Sequence, residues 1–200
     1  MNYLAHAYLS FGIPEIVVGN LISDFVKGKK KLDYPPGVQR GITLHRAIDG
    51  FTDTHAVTRR AKGVFRANYG LYAGPLVDVA YDHFLANDEG AFPGEAGASL
   101  KSFSQRTYAQ AGEWDEWFPE RFRRMFPYMR SQDWLYNYRY REGIFNSFAG
   151  LARRAAYMPD PAAACRLFEE HYAELGACYR EFFPALKEFA NITLEELKKG

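Results

Sequence analysis

The chain has 200 residues, 48% of them hydrophobic and 24% charged, a size and balance that suit one soluble globular domain. Its 25 basic and 24 acidic side chains leave a formal charge of +1, so no whole-molecule field draws it to nucleic acid or to a membrane surface. The apolar N-terminal stretch is interrupted by His6, Glu15, Asn20 and Asp24 and has no basic leader, so it reads as neither a signal peptide nor a membrane span.

Helix signals recur along the chain and period-two strand signals are scarce. A short helix is expected over 2–11, ending near Gly12 and Pro14. A second runs from Pro14 to about Lys27, with Asp24 beside its apolar stripe. Residues 28–36 read as a loop, 37–53 as a helix, and 55–69 as another with Thr54 as its N-cap. Pro75 opens a helix over 75–87, and 88–97 is the clearest loop. Helical patterns follow near 98–112, 117–130, 133–156 and 160–181, then a segment opened by Pro184 whose charged end is expected to fray. The fold class is an all-α bundle of eight or more helices, one domain over 1–200. Cys165 and Cys178 lie outside any metal or redox spacing and read as reduced core residues, as in a cytoplasmic protein.

The chemistry-bearing residues gather in the first 83 positions. His45 and Asp49 stand four apart and share a helix face, which Asp53 extends by another turn. Asp78 and Asp82 share a second face, with His83 turned about 100° from it. Asp24 and His6 sit in apolar helices of their own. Each alone has a bland explanation: a satisfied polar pair, an exposed carboxylate, a core histidine. Together, four helices carry imidazole or carboxylate at the apolar face, and such convergence binds divalent ions in helical bundles. Without a thiolate in reach, the donors suit Mn²⁺, Fe²⁺, Zn²⁺ or Mg²⁺. Arg46 beside His45 is either a surface ion-pair partner or a clamp for phosphate. Lys27, Lys29, Lys30 and Lys31 form a basic run next to Asp24, either a solvated loop or a dock for an acidic partner. His55 and His171 lack such company. Neither a phosphate-binding glycine loop nor a nucleophile elbow competes.

Four ordered motifs, MNYLAHAYLS, GNLISDFVKG, YPPGVQRGITLHRAIDGFTD and LVDVAYDHFLA, span residues 1–87, with a weaker one, DWLYNYRYREGIFNSF, over 133–148. In these the chain resembles the acyl carrier protein phosphodiesterases. The resemblance implies an all-helical, distantly HD-type metal phosphohydrolase that uses Mn²⁺. It would cut the phosphodiester joining 4′-phosphopantetheine to a serine of acyl carrier protein. The motif positions carried over are His6, Asp24, His45, Asp49, Asp53, Asp78, Asp82 and His83. The dipeptide Asp82-His83 reverses the HD order, so ligands do not transfer directly from HD enzymes.

On this reading a subset of Asp24, His45, Asp49, Asp82 and His83 binds one or two Mn²⁺ ions, with Mg²⁺ or Fe²⁺ as substitutes. Asp78 or His6 serves as acid or as an orienting group, and Arg46 balances transition-state charge. The Lys27–Lys31 loop faces the acidic carrier protein, and Tyr and Phe side chains line a channel for the pantetheine arm. Two rivals remain: the same centre acting on a nucleotide or other small phosphodiester, and a non-catalytic helical module with a buried polar network.

Overall fold

The computed structural model describes residues 1–93, 97–155 and 157–199. Among these residues there is no strand, and the architecture is all-α. Helix α1 (Tyr3–Tyr8) starts at Asn2, whose side chain accepts the Tyr3 N–H at 3.0 Å. Helix α2 (Pro14–Ile22) has proline in its first turn, where no N–H is needed. Two 3₁₀ segments (Ser23–Phe25 and Gly28–Asp33) lead to α3 (Pro36–Thr54), then α4 (Ala56–Tyr69) and α5 (Ala73–Ala86). The second half holds α6 (Ala98–Gly112), α7 (Glu120–Ser131), α8 (Trp134–Asn137), α9 (Arg141–Arg154), α10 (Pro161–Glu170) and α11 (Tyr172–Lys199).

The core is one continuous cluster in which Leu4, Ile22, Ile42, Leu44, Leu76, Leu85, Phe182 and Leu186 are fully buried. Each such side chain contributes roughly 1.5–3 kcal/mol relative to exposure. Helix α11 packs over α3, α4 and α5, stacking Phe182 on Tyr81 at 5.5 Å and Phe189 on Phe51 at 4.4 Å between ring centroids. No described helix is long and apolar enough to cross a membrane.

The tightest element pair is α2 with α3, and two glycines set its spacing. A Cβ at Gly19 would lie 2.3 Å from the Val38 carbonyl oxygen, and one at Gly41 would lie 2.6 Å from that of Ile16. Only hydrogen fits at either place, so the two backbones touch. This contact positions the residue cluster described below.

Several boundaries differ from expectation. Helix α2 stops at Ile22, and Asp24 lies on the 3₁₀ turn after it, held because Ser23 Oγ donates to the Ile42 carbonyl (3.4 Å) and Arg46 Nη2 to that of Val26 (2.7 Å). His55, not Thr54, caps α4, with Nδ1 accepting the Val57 N–H at 3.3 Å. The helix expected over 133–156 breaks at Tyr138–Tyr140, where His83 of α5 and Asn87 just after it take the carbonyls: His83 Nδ1 bonds the Tyr138 oxygen at 2.8 Å and Asn87 Nδ2 that of Arg139 at 3.1 Å. The helix expected over 160–181 breaks at His171, and α11 then runs through Pro184 to Lys199 instead of fraying. A proline removes one ladder bond, which the buried face of α11 outweighs. Residues 94–96 of the loop expected over 88–97 lie outside the described residues.

Candidate active site

The α2–α3 contact brings the Asn20 carbonyl within 2.8 Å of His45 Nδ1. That bond uses the Nδ1 proton and turns Nε2 of His45 outward. The same asparagine sets His6: its Oδ1 lies 3.3 Å from His6 Nδ1, while its Nδ2 donates to Ser10 Oγ at 2.8 Å and so fixes the amide orientation. The two imidazoles stack in parallel, centroids 3.8 Å apart and planes 14° apart, and both present Nε2 to the same carboxylate. His6 Nε2 stands 3.2 Å from Asp49 Oδ1, and His45 Nε2 stands 3.1 Å from Asp49 Oδ2 and 3.3 Å from Asp24 Oδ1. His6 and His45 are buried, Asp49 is 39% exposed and Asp24 is 69% exposed, so the cluster opens outward past the two carboxylates.

Behind Asp49 lies a buried cation. The Met1 α-ammonium pairs with Asp49 Oδ1 at 3.2 Å and with Asp78 Oδ1 at 3.1 Å. Burial opposes its charge, but Asp78 and Asp49 raise it to about 11. Burial likewise favours neutral Asp49, yet the Met1 ammonium and the two imidazoles hold it well below the usual carboxylate range. The His45 hydrogen bond lowers Asp24. Burial lowers His45, but the bonds to Asp24 and Asp49 win and lift it to about 9. His6 moves the other way, depressed by burial and by the charge on His45. Parallel rings in contact cannot both be charged, so one proton serves the pair.

Nε2 of His6 is buried and, despite its closeness to Asp49, makes no directed hydrogen bond. Donor atoms of His6, His45 and Asp49 lie within 4.8 Å of one another. Ligands about 2.1 Å from a common ion stand roughly 3–4 Å apart, so this trio fits a divalent cation with little adjustment.

The remaining sequence-derived candidates lie elsewhere. Asp82 is fully buried under α1, accepting the N–H groups of Leu4 (2.7 Å) and Ala5 (3.2 Å). Its carboxylate caps that helix and so anchors the element that carries His6. His83 bonds Tyr138 through Nδ1 and faces the Tyr172 hydroxyl through Nε2 at 3.0 Å. Neither Asp82 nor His83 joins the His6–His45–Asp49 cluster. Asp78 reaches it only through Met1, and Asp53 pairs with Lys62 at 2.8 Å. Arg46 is committed to the Val26 carbonyl. Lys27, Lys29 and Lys30 are exposed, and Lys31 donates to Thr43 Oγ1 at 3.2 Å. Sequence reading gave no role to Asn20 beyond its place one turn before Asp24, and none to Met1, because a neutral amide and a terminal amine carry no ligand signature.

The class thus defined is an all-helical protein whose first three helices converge on a half-open imidazole–carboxylate centre. The sequence model of the acyl carrier protein phosphodiesterase family matches residues 1–186. The chain is similar to the acyl carrier protein phosphodiesterases of Photorhabdus laumondii subsp. laumondii (31% identical, 95% of each chain) and Serratia proteamaculans (32%, covering 95% of this chain and 97% of the relative). It is also similar to that of Salmonella paratyphi A, at 33% identity over 93% of this chain and 95% of the relative. No solved structure gives a significant match. The chain belongs to the acyl carrier protein phosphodiesterase family, and the resemblance carried by the four N-terminal motifs holds over nearly the whole chain.

Proposed function

We propose that the protein hydrolyses the phosphodiester of holo-acyl carrier protein, releasing 4′-phosphopantetheine and leaving the carrier serine free. The observation that carries this reading is the convergence of two imidazole Nε2 atoms on the Asp49 carboxylate in a chain of this family. His6, His45 and Asp49 would hold a divalent cation, with Asp24 beside them at the rim. Imidazole and carboxylate donors without thiolate suit Mn²⁺, with Mg²⁺ and Fe²⁺ as competitors. Such an ion, when bound, polarises a phosphoryl oxygen and acidifies a water.

The protein's own residues do the rest. Asn20 engages Nδ1 of both imidazoles and so turns both Nε2 atoms toward the site, where a cation would displace the shared proton. Met1 keeps Asp49 ionised from behind, and Asp24 stays ionised at the mouth, where it orients the attacking water. Water oxygen bonds to phosphorus, the bond from phosphorus to the serine oxygen breaks, and that oxygen takes a proton at the open rim. Arg46 ties the turn bearing Asp24 to α3. The exposed Lys27, Lys29 and Lys30 beside that turn meet the acidic surface of the carrier protein. Free Cys165 and Cys178 accord with a cytoplasmic site of action.

The test is conversion of holo- to apo-acyl carrier protein by the purified protein, followed by gel shift, with Mn²⁺ and with chelator. Conversion with Mn²⁺ alone is expected, and His45→Ala or Asp49→Ala should slow it at least a hundredfold while circular dichroism stays helical. Turnover of nucleotide phosphodiesters but not of holo-carrier protein, or full activity in His45→Ala, would overturn the assignment.

A further inference from the structure

A cavity of about 510 Å³ lies where the start of α1 meets α8 and α9. It falls within the roughly 300–1,000 Å³ span of small-molecule clefts. Tyr3 and Trp134 supply aromatic wall, Asn146 and Ser147 supply amide and hydroxyl groups, and Arg154 supplies a guanidinium. None of these residues belongs to the cation centre, yet the two sites adjoin. Tyr3 and His6 stand one helical turn apart on the same face of α1, Tyr3 toward the cavity and His6 in the cluster. The Tyr3 hydroxyl donates to Met125 Sδ at 3.9 Å; burial raises the phenol to about 12, Asp24 adds to the rise, and the nearby Arg154 guanidinium opposes it. Tyr3 and Arg154 thus line one cavity, and Tyr3 also feels the Asp24 carboxylate.

We propose that this cavity receives the 4′-phosphopantetheine arm, with Tyr3 in its wall and Arg154 gripping the phosphate where the cavity meets the cation centre. The inference rests on the carrier-protein reading and adds the binding site and the phosphate-recognising residue. An arm of methylenes interrupted by two amides matches a wall of aromatic rings interrupted by amide and hydroxyl groups. A guanidinium reads two phosphate oxygens at once. Arg46, whose Nη2 is committed to the Val26 carbonyl, is the poorer candidate for that task.

Gly150 gives the test. It lines the cavity from α9, and a Cβ there meets only the end of Arg153, at 3.7 Å. A side chain can therefore start at this position without a Cβ clash, and Gly150→Phe places a ring at the cavity wall. Calorimetric titration with free 4′-phosphopantetheine and with pantetheine, on Mn²⁺-loaded protein, reads the site apart from turnover. The unaltered protein should prefer the phosphorylated ligand at least tenfold. Gly150→Phe should weaken it at least tenfold and raise KM for holo-carrier protein, with melting temperature held. Arg154→Ala, at an exposed position, should erase the preference. Equal affinity in the unaltered protein and both variants overturns the proposal, even where holo-carrier protein is cleaved. Binding that Gly150→Phe abolishes, without cleavage of holo-carrier protein, upholds the cavity and overturns only the function above. Neither binding nor cleavage overturns both.

Discussion

Asn20, 1% exposed, makes three contacts that set the site: its carbonyl takes the His45 Nδ1 proton, its Oδ1 faces His6 Nδ1, and its Nδ2 is tied to Ser10. Replacing the side chain spares the His45 bond, which is to backbone, and frees the His6 ring. Asn20→Ala should weaken Mn²⁺ binding by roughly ten- to a hundredfold with the helical content unchanged; calorimetry on the apo-protein reads this, and unaltered affinity would deny Asn20 its role. His83 makes a separate prediction. Burial holds its folded value down at about 4, although its bond to Tyr138 pulls the other way. The unfolded chain takes up that proton near pH 6.5. Its neutral burial is therefore without cost above pH 6.5, and stability falls as pH drops toward 4, by about 2 kcal/mol at pH 5. Urea unfolding at pH 7.5 and pH 5 should show this loss, and His83→Gln should lack that share of it. Spacing and apolar context were enough to mark His6, His45 and Asp49 in the sequence. They also marked Asp82 and His83, because residue type and periodicity do not say which partner an inward face meets. The α1 N-terminus and the Tyr138 carbonyl are set by tertiary structure alone.

At the scale of elements, helix existence followed from apolar periodicity, and helix ends did not. The break between α8 and α9 depends on His83 and Asn87, more than fifty residues away. The stop of α2 before Asp24 depends on Arg46 and Ile42 of α3. Local propensity carries neither. The glycine contact between α2 and α3 is similar: both glycines sit inside helices, where their intrinsic tendency is unfavourable by about 1 kcal/mol each. Their value appears only when the helices meet. Gly41→Ala should push α2 and α3 apart, lower stability by about 1–3 kcal/mol, and lengthen the bond from His45 to Asn20. Denaturant titration together with Mn²⁺ affinity tests this. A loss of stability with intact metal affinity would separate the packing from the site.

For the whole molecule, composition and helical period pointed to an all-α chain, and the fold agrees. Aromatic residues make up 16% of the chain. Phe182, Tyr81 and Phe168 are core, while Tyr3 and Trp134 border the cavity. Which aromatic does which depends on how α9 and α11 lie against α5, and no linear pattern records that. The imidazole–carboxylate cluster is built almost wholly from the first 49 residues, whereas the cavity borrows most of its wall from residues 132–154.

That division has a dynamic consequence. Where α2 and α3 touch through glycine backbone, no side chain can change rotamer to let them slide, so this half is a fixed plate. If the cavity takes the substrate arm as proposed, the wall that can give way to admit it is α8 and α9, joined to α5 by direct packing of α9 and by the bonds to the broken turn at Tyr138–Tyr140. Amide exchange should accordingly be slowest in α2 and α3 and faster in α9, with 4′-phosphopantetheine slowing α9 alone. Uniform protection of both walls would mean that the arm enters without any part of the protein giving way.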